Sequence, residues 1–187
     1  MKKILVLQMR PENEAANSEF EAILKVGKID KANVQRIRLE NPNLPEIILD
    51  NYSAIIAGGS PFDVSCPDKK KNNVQKQVES FFNMLFIDVI ENDIPFLGAC
   101  SGNGLLGNYC GTPISGKYSE PVGSTEVFIT NEGLKDPLLN GLPKEFTALV
   151  GHKEACDYVP EGAVLLVSSK PCPVQMFRIK NNISAIN

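Results

Sequence analysis

The 187-residue sequence has no tryptophan, a single histidine, and five cysteines without a C-x-x-C spacing among them. An odd cysteine count (Cys66, Cys100, Cys110, Cys156, Cys172) without paired spacing argues against a disulfide framework and against a zinc ribbon or finger. Free thiols, a reducing cytoplasm, and neither metal nor other cofactor are therefore expected. Long hydrophobic runs are also missing: no apolar stretch approaches the roughly 18 residues a membrane-spanning helix needs. The basic start Met1-Lys-Lys continues into only four apolar residues before Gln8, too few for a secretory signal, and reads as a first buried strand. Excess positive charge is lacking too. With 19 Lys and Arg against 22 Asp and Glu, the net charge is −3, which speaks against a nucleic-acid surface. Neither a nucleic acid nor a membrane is expected as a partner.

The length suits one domain with a substantial core. Residues 4–8, 34–39, 53–57 and 95–99 read as strands, with amphipathic helices over 12–26 and 73–91 and a shorter helix over 101–109. Lys69-Lys-Lys71 reads as a solvated start to the second helix. This βαβ order predicts a parallel sheet covered on both faces. After Gly111 short apolar runs follow with little helix between them, at 112–115, 125–130, 146–150, 164–167 and 174–178. Proline and glycine separate them, as antiparallel strands added to an edge require.

Cys100 is the residue that suggests chemistry. It follows a short apolar run in Pro95-Phe-Leu-Gly-Ala-Cys100 and opens Ser101-Gly-Asn-Gly104. A thiol at a tight strand-to-helix turn meets the positive end of a helix and its free N–H groups, which stabilise a thiolate and a neighbouring anion. A second glycine-rich strand end, Gly58-Gly59-Ser60-Pro61, follows the third parallel strand. Side by side, the two loops would offer the N–H groups of Gly59 and Ser101 to one oxyanion. The stretch Gly102-Asn-Gly104-Leu-Leu-Gly107 matches the dinucleotide fingerprint G-x-G-x-x-G. However, the tight turn lies earlier, at 98–102, so these glycines belong inside the helix.

These residues resemble the class I glutamine amidotransferase family. Its motif G-x-C-x-G-x-Q is similar to Gly98-Ala-Cys100-Ser-Gly102-Asn-Gly104, and its G-G-P loop to Gly58-Gly59-Ser60-Pro61. Segments 118–123, 150–155 and 172–178 resemble the glutamine-pocket segments of guanylate-synthase-like members and the strand pair before their catalytic histidine. The resemblance implies a flavodoxin-like three-layer α/β domain over residues 1–187, with a mainly parallel central sheet and added antiparallel strands in its C-terminal half. It further implies glutamine as substrate, Cys100 as nucleophile, an oxyanion hole of Gly59 and Ser101, and a synthase partner that accepts ammonia. Gly58, Gly104, Gly151 and His152 are the residues it implies for substrate binding.

Two departures stand out. Gly104 replaces the motif's glutamine. The H-x-E pair that family members carry after the strand begun at Ile183 is not in this sequence, so the domain is expected to lack its C-terminal strand and helix. His152 falls in a pocket segment, and Glu120 and Glu154 read as solvated surface acids. A catalytically inactive glutamine- or partner-binding protein remains open. So does a cysteine protein of the DJ-1/PfpI type, in which Glu12 or Glu14 would be the acid facing the thiol.

Overall fold

A computed structural model describes residues 2–187. Strand β1 (Lys3–Gln8) leads to helix α1 (Asn13–Gly27), β2 (Val34–Arg38), β3 (Tyr52–Ala57), α2 (Asn73–Glu91), β4 (Phe96–Ala99) and α3 (Ser101–Tyr109). The second half is almost wholly strand: β5 (Ile114–Ser115), β6 (Glu120–Ile129), β7 (Glu145–His152), β8 (Ala155–Cys156), β9 (Val164–Ser169), β10 (Met176–Ile179) and β11 (Ile183–Ile186). Nine strands form one sheet in the order β2-β1-β3-β4-β11-β10-β9-β6-β7, and β5 pairs with β8 in a separate ribbon. The first five run parallel and the last four antiparallel. The expected mixed α/β class, with antiparallel strands flanking a parallel sheet, is what the chain adopts.

Burial explains the local choices. Leu5, Val6 and Leu7 are all fully buried, as a parallel strand covered on both faces requires. Helix α1 buries Ala16, Phe20 and Leu24 at four-residue spacing against Val6 and Val34 on one face of the sheet. Helix α2 buries Val78, Phe82, Leu85, Phe86 and Val89 in the larger cluster on the other face, together with α3. The Asn72 side chain caps α2 by accepting from the Gln75 N–H at 2.8 Å. Lys71 is not the solvated residue expected: its side chain is nearly buried and pairs with Glu79 at 2.7 Å.

Two features aim the fold at its site. The chain leaves β1 toward β2 on one side and returns to β3 on the other, and such a reversal opens a crevice beyond the strand ends. The segment begun at Ile183 does not sit at an edge. As β11 it wedges between β4 and β10, with Ile186 in register with Ala99. Its C-terminal end therefore arrives beside the end of β4. No helix among the described residues is long and apolar enough to cross a membrane.

Candidate functional site

Cys100 occupies the turn between β4 and α3 with φ 55° and ψ −106°, a conformation that L-residues adopt only under constraint. The constraints are visible. Its N–H donates to the Ile186 carbonyl at 2.8 Å, and its carbonyl accepts from Asn103 and Gly104 in the first turn of α3. The turn is tight because Gly98 has no side chain: a Cβ there would come within 2.7 Å of the Gly102 backbone. This elbow lifts the half-buried thiol to the end of the sheet. It also places the Ser101 N–H among the donors that a helix start leaves without an intrahelical acceptor. Gly102, Gly104 and Gly107 lie inside α3, so the dinucleotide fingerprint is a packing pattern here.

The two glycine-rich loops do meet. Ser60 N–H donates to Ser101 Oγ, and the two hydroxyls are bonded, both at 2.8 Å. The Gly59 N–H, however, is not free for an oxyanion: it donates to Glu19 Oε1 at 3.0 Å. Glu19 also accepts from Gln8 Nε2 at 2.7 Å and pairs with Arg10 Nε at 3.1 Å. A Cβ at Gly59 would lie 2.5 Å from Arg10 Nη2 and 3.7 Å from Cys100 Cβ. Arg10 and Cys100 line the same cavities.

A cavity of about 270 Å³ opens on Cys100, lined by Ser101, Gly104, Gly151 and His152 with Arg10, Phe62 and Glu154. Its size suits a small polar metabolite better than the 300–1,000 Å³ of drug-sized sites. Four of the sequence-expected residues thus gather around Cys100. Gly58 is outside that cavity: with Gly59 it lines a second, apolar cleft of about 470 Å³ beneath α1, which also reaches Cys100 and Arg10. There a Cβ on Gly58 would strike the Glu19 carboxylate.

Three further acids need a different account from the one their sequence suggests. Glu154 is a brace, accepting from the Val64 N–H and, at 3.0 Å, from the Ser65 N–H. It also stands 4.0 Å from where a Cβ on Gly104 would be, so the carboxylate borders space that a longer side chain at 104 would need. Glu154→Ala removes the acceptor of two loop amides. A loss of about 1–3 kcal/mol in unfolding free energy is expected, read by urea melts, together with weaker ligand binding at the cavity. An unchanged melt would contradict the bracing role. Glu120 is buried, not solvated. Its Oε2 lies 3.0 Å from His152 Nε2 and accepts from Gln175 Nε2 at 2.6 Å. Glu19 carries almost no signal in the sequence; what is legible is its place one residue before the buried Phe20 on an amphipathic helix. Glu12 and Glu14 are exposed and give the DJ-1/PfpI reading no support.

Burial pushes the Cys110 thiol up to about 11 and the Cys156 thiol up to about 12. An unfolded cysteine ionises near pH 8.5, so above that pH the unfolded chain sheds these protons first. The stabilisation is complete below about pH 8.5 and is lost toward pH 11–12. Stability should accordingly fall with rising pH in this window, and fall less steeply in Cys156→Ala. Denaturant melts across the window check this, and an equal slope in both proteins would contradict it.

Comparison with known proteins follows the same lines. The family model for "Glutamine amidotransferase class-I" matches residues 17–186. The chain is 30% identical over 129 residues to the glutamine-hydrolyzing GMP synthase of Borrelia garinii subsp. bavariensis, covering 69% of this chain and 22% of that protein. It is 28% identical over 144 residues to a glutamine-hydrolyzing GMP synthase subunit of Sulfurisphaera tokodaii, covering 77% of this chain and 69% of that one. A matched segment of 91 residues, 29% identical, covers 49% of this chain and 47% of the corresponding GMP synthase subunit from Methanococcus maripaludis. The matches thus span from about a fifth to somewhat over two thirds of these relatives. In fold the chain is similar to a glutamine amidotransferase of Thermotoga maritima, with TM-score 0.77 and 19% identity over 100% of this chain and 75% of that one. It is also similar to a glutamine amidotransferase from Methylobacillus flagellatus, with TM-score 0.75 and 17% identity, covering 100% and 69%.

Proposed function

The chain belongs to the class-I glutamine amidotransferase family, and from that membership we propose that its cavity binds glutamine and that Cys100 cleaves the side-chain amide. The observation that carries the reading is the elbow. A constrained thiol, an unbonded helix-start N–H and a small polar cavity converge at one strand end. In this scheme the Cys100 sulfur attacks the amide carbon, and the Ser101 N–H receives the developing oxyanion. The C–N bond breaks as ammonia leaves with a proton, and water then hydrolyses the glutamyl thioester to glutamate. Gly59 joins as a second donor only when Glu19 releases its N–H.

The thiol needs a base. His152 is engaged at both ring nitrogens, to Glu120 and to the Glu154 carbonyl, so its part is the cavity wall. Ile186, at the end of β11, stands in register with Ala99, so a base supplied at that strand end would face the thiol. The ammonia acceptor, on the likeness to the GMP synthase subunits, is a GMP-forming synthase partner. The commitment of His152 also favours a second reading, glutamine binding without turnover.

Glutamate formation from glutamine, measured for the natural protein alone and with a GMP-forming synthase partner, separates these. Turnover that disappears in Cys100→Ala supports the enzyme. Binding without glutamate in either condition would overturn it in favour of the second reading.

A further inference from the structure

Behind the wall of the Cys100 cavity, Glu120, His152 and Cys172 bring a carboxylate oxygen, an imidazole nitrogen and a thiol sulfur within 4.8 Å of one another, all three residues buried. They come from β6, β7 and the turn between β9 and β10. Both His152 nitrogens face oxygens that only accept: Nδ1 lies 3.3 Å from the Glu154 carbonyl, and Nε2 lies 3.0 Å from the Glu120 carboxylate. A neutral imidazole has one N–H, so one of these contacts sets lone pair against lone pair. If Nδ1–H donates to the carbonyl, Nε2 points its lone pair at the carboxylate, and a cation between them removes the conflict. A ring held through Nδ1–H to a backbone carbonyl is also the arrangement that prepares Nε2 to bind a metal. The third group, the Cys172 sulfur, donates to the Val174 carbonyl and accepts from the Asn187 amide, both at 3.5 Å, bonds that it would exchange for a metal.

We propose that Glu120, His152 and Cys172 form a binding site for one thiophilic divalent ion of the Zn²⁺ class. One nitrogen, one carboxylate oxygen and one sulfur are a donor set that Zn²⁺ accepts and that Mg²⁺ or Ca²⁺ does not. Donors at about 2.0–2.3 Å from a tetrahedral ion stand roughly 3.3–3.7 Å apart. The 3.0 Å and 4.8 Å limits of the cluster bracket that spacing. On binding, the sulfur exchanges its proton for the metal bond and the proton leaves to solvent. A surface cleft of about 450 Å³ is lined by Glu120 and His152 beside Ser119 and Lys153. His152 also lines the Cys100 cavity, so an ion would fix the wall against which a ligand there binds.

The test is Co²⁺ titration of chelator-stripped protein, followed spectroscopically. One equivalent should bring a thiolate-to-cobalt charge-transfer band and the visible bands of four-coordinate cobalt, both abolished by one equivalent of Zn²⁺. The bands should persist in Cys100→Ser and Cys66→Ser and disappear in Cys172→Ala. His152→Gln should weaken Zn²⁺ binding by more than the roughly 10–100-fold that losing a ligand's hydrogen-bond partner costs. Because Cys172→Ala could unfold, X-ray absorption at the zinc edge of the unmutated protein gives a second reading. One sulfur at about 2.3 Å with lighter donors near 2.0 Å is expected. A sulfur-free shell, no stoichiometric cobalt uptake, or a band that survives in folded Cys172→Ala would overturn the site and leave a proton as the bridging cation.

Discussion

Cys100→Ala abolishes glutamate formation from glutamine, and Cys100→Gly does the same while making the protein more stable. The first half follows from the role proposed for Cys100, since removing the nucleophile of a comparable acyl-transfer site costs on the order of 10⁶ in kcat. The second follows from the backbone. Cys100 is held at φ 55° and ψ −106°, and an L-residue in such a region carries about 1–3 kcal/mol of strain that glycine lacks. Alanine keeps the strain, so the Gly variant should unfold at higher denaturant than the Ala variant. Stability that rises as the function disappears is the mark of a residue kept for chemistry. Equal stability of the two variants would mean that the elbow is not strained. Residual turnover in either variant would mean that another group attacks the amide.

Glu120→Ala has the largest expected effect on stability. It leaves His152 and Gln175 without the carboxylate on which both converge, in a place where the Glu120 and His152 side chains are 4% and 3% exposed. Leaving a buried polar group without its partner costs about 1–3 kcal/mol, and with two side chains affected the loss is on the order of 10 °C in melting temperature for a domain of this length. Glu120→Gln retains an acceptor oxygen and should recover part of the loss. Thermal melts of the three proteins check the order wild type, Gln, Ala, and Ala melting with wild type would contradict the pairing. The same variants bear on the cavity, because His152 is its wall.

The parallel half is legible because its signals are local. The continuous apolar run at β1, the four-residue spacing of Ala16, Phe20 and Leu24, and the glycines around Cys100 each report on their own segment. The elbow and the meeting of the Ser60 and Ser101 loops follow from these. The antiparallel half is legible as strands but not in its pairing. Nothing within residues 183–186 says that they lie between β4 and β10, because that position depends on partners almost ninety residues earlier in the chain. Glu120 reads as a surface acid for a similar reason. Strand β6 runs out of register with β7 between Glu120 and Gly123. Such an irregularity turns a side chain to the opposite face, and the Glu120–His152 pair lies beyond it. Glu19 escapes a sequence reading because its three partners, Gln8, Arg10 and Gly59, come from two other segments. Each local pattern is therefore readable, and the contacts that hold the Gly58-Gly59-Ser60-Pro61 loop are not.

The measurement that bears most directly on Cys100 and its cavity is intact-protein mass spectrometry after treatment with a glutamine-mimicking electrophile, with and without excess glutamine. A glutamine site there predicts one adduct per chain, mapped to Cys100, prevented by glutamine and not by asparagine, with Cys110 and Cys156 unmodified. An adduct that glutamine does not prevent, or labelling spread over several cysteines, would contradict a glutamine site at Cys100.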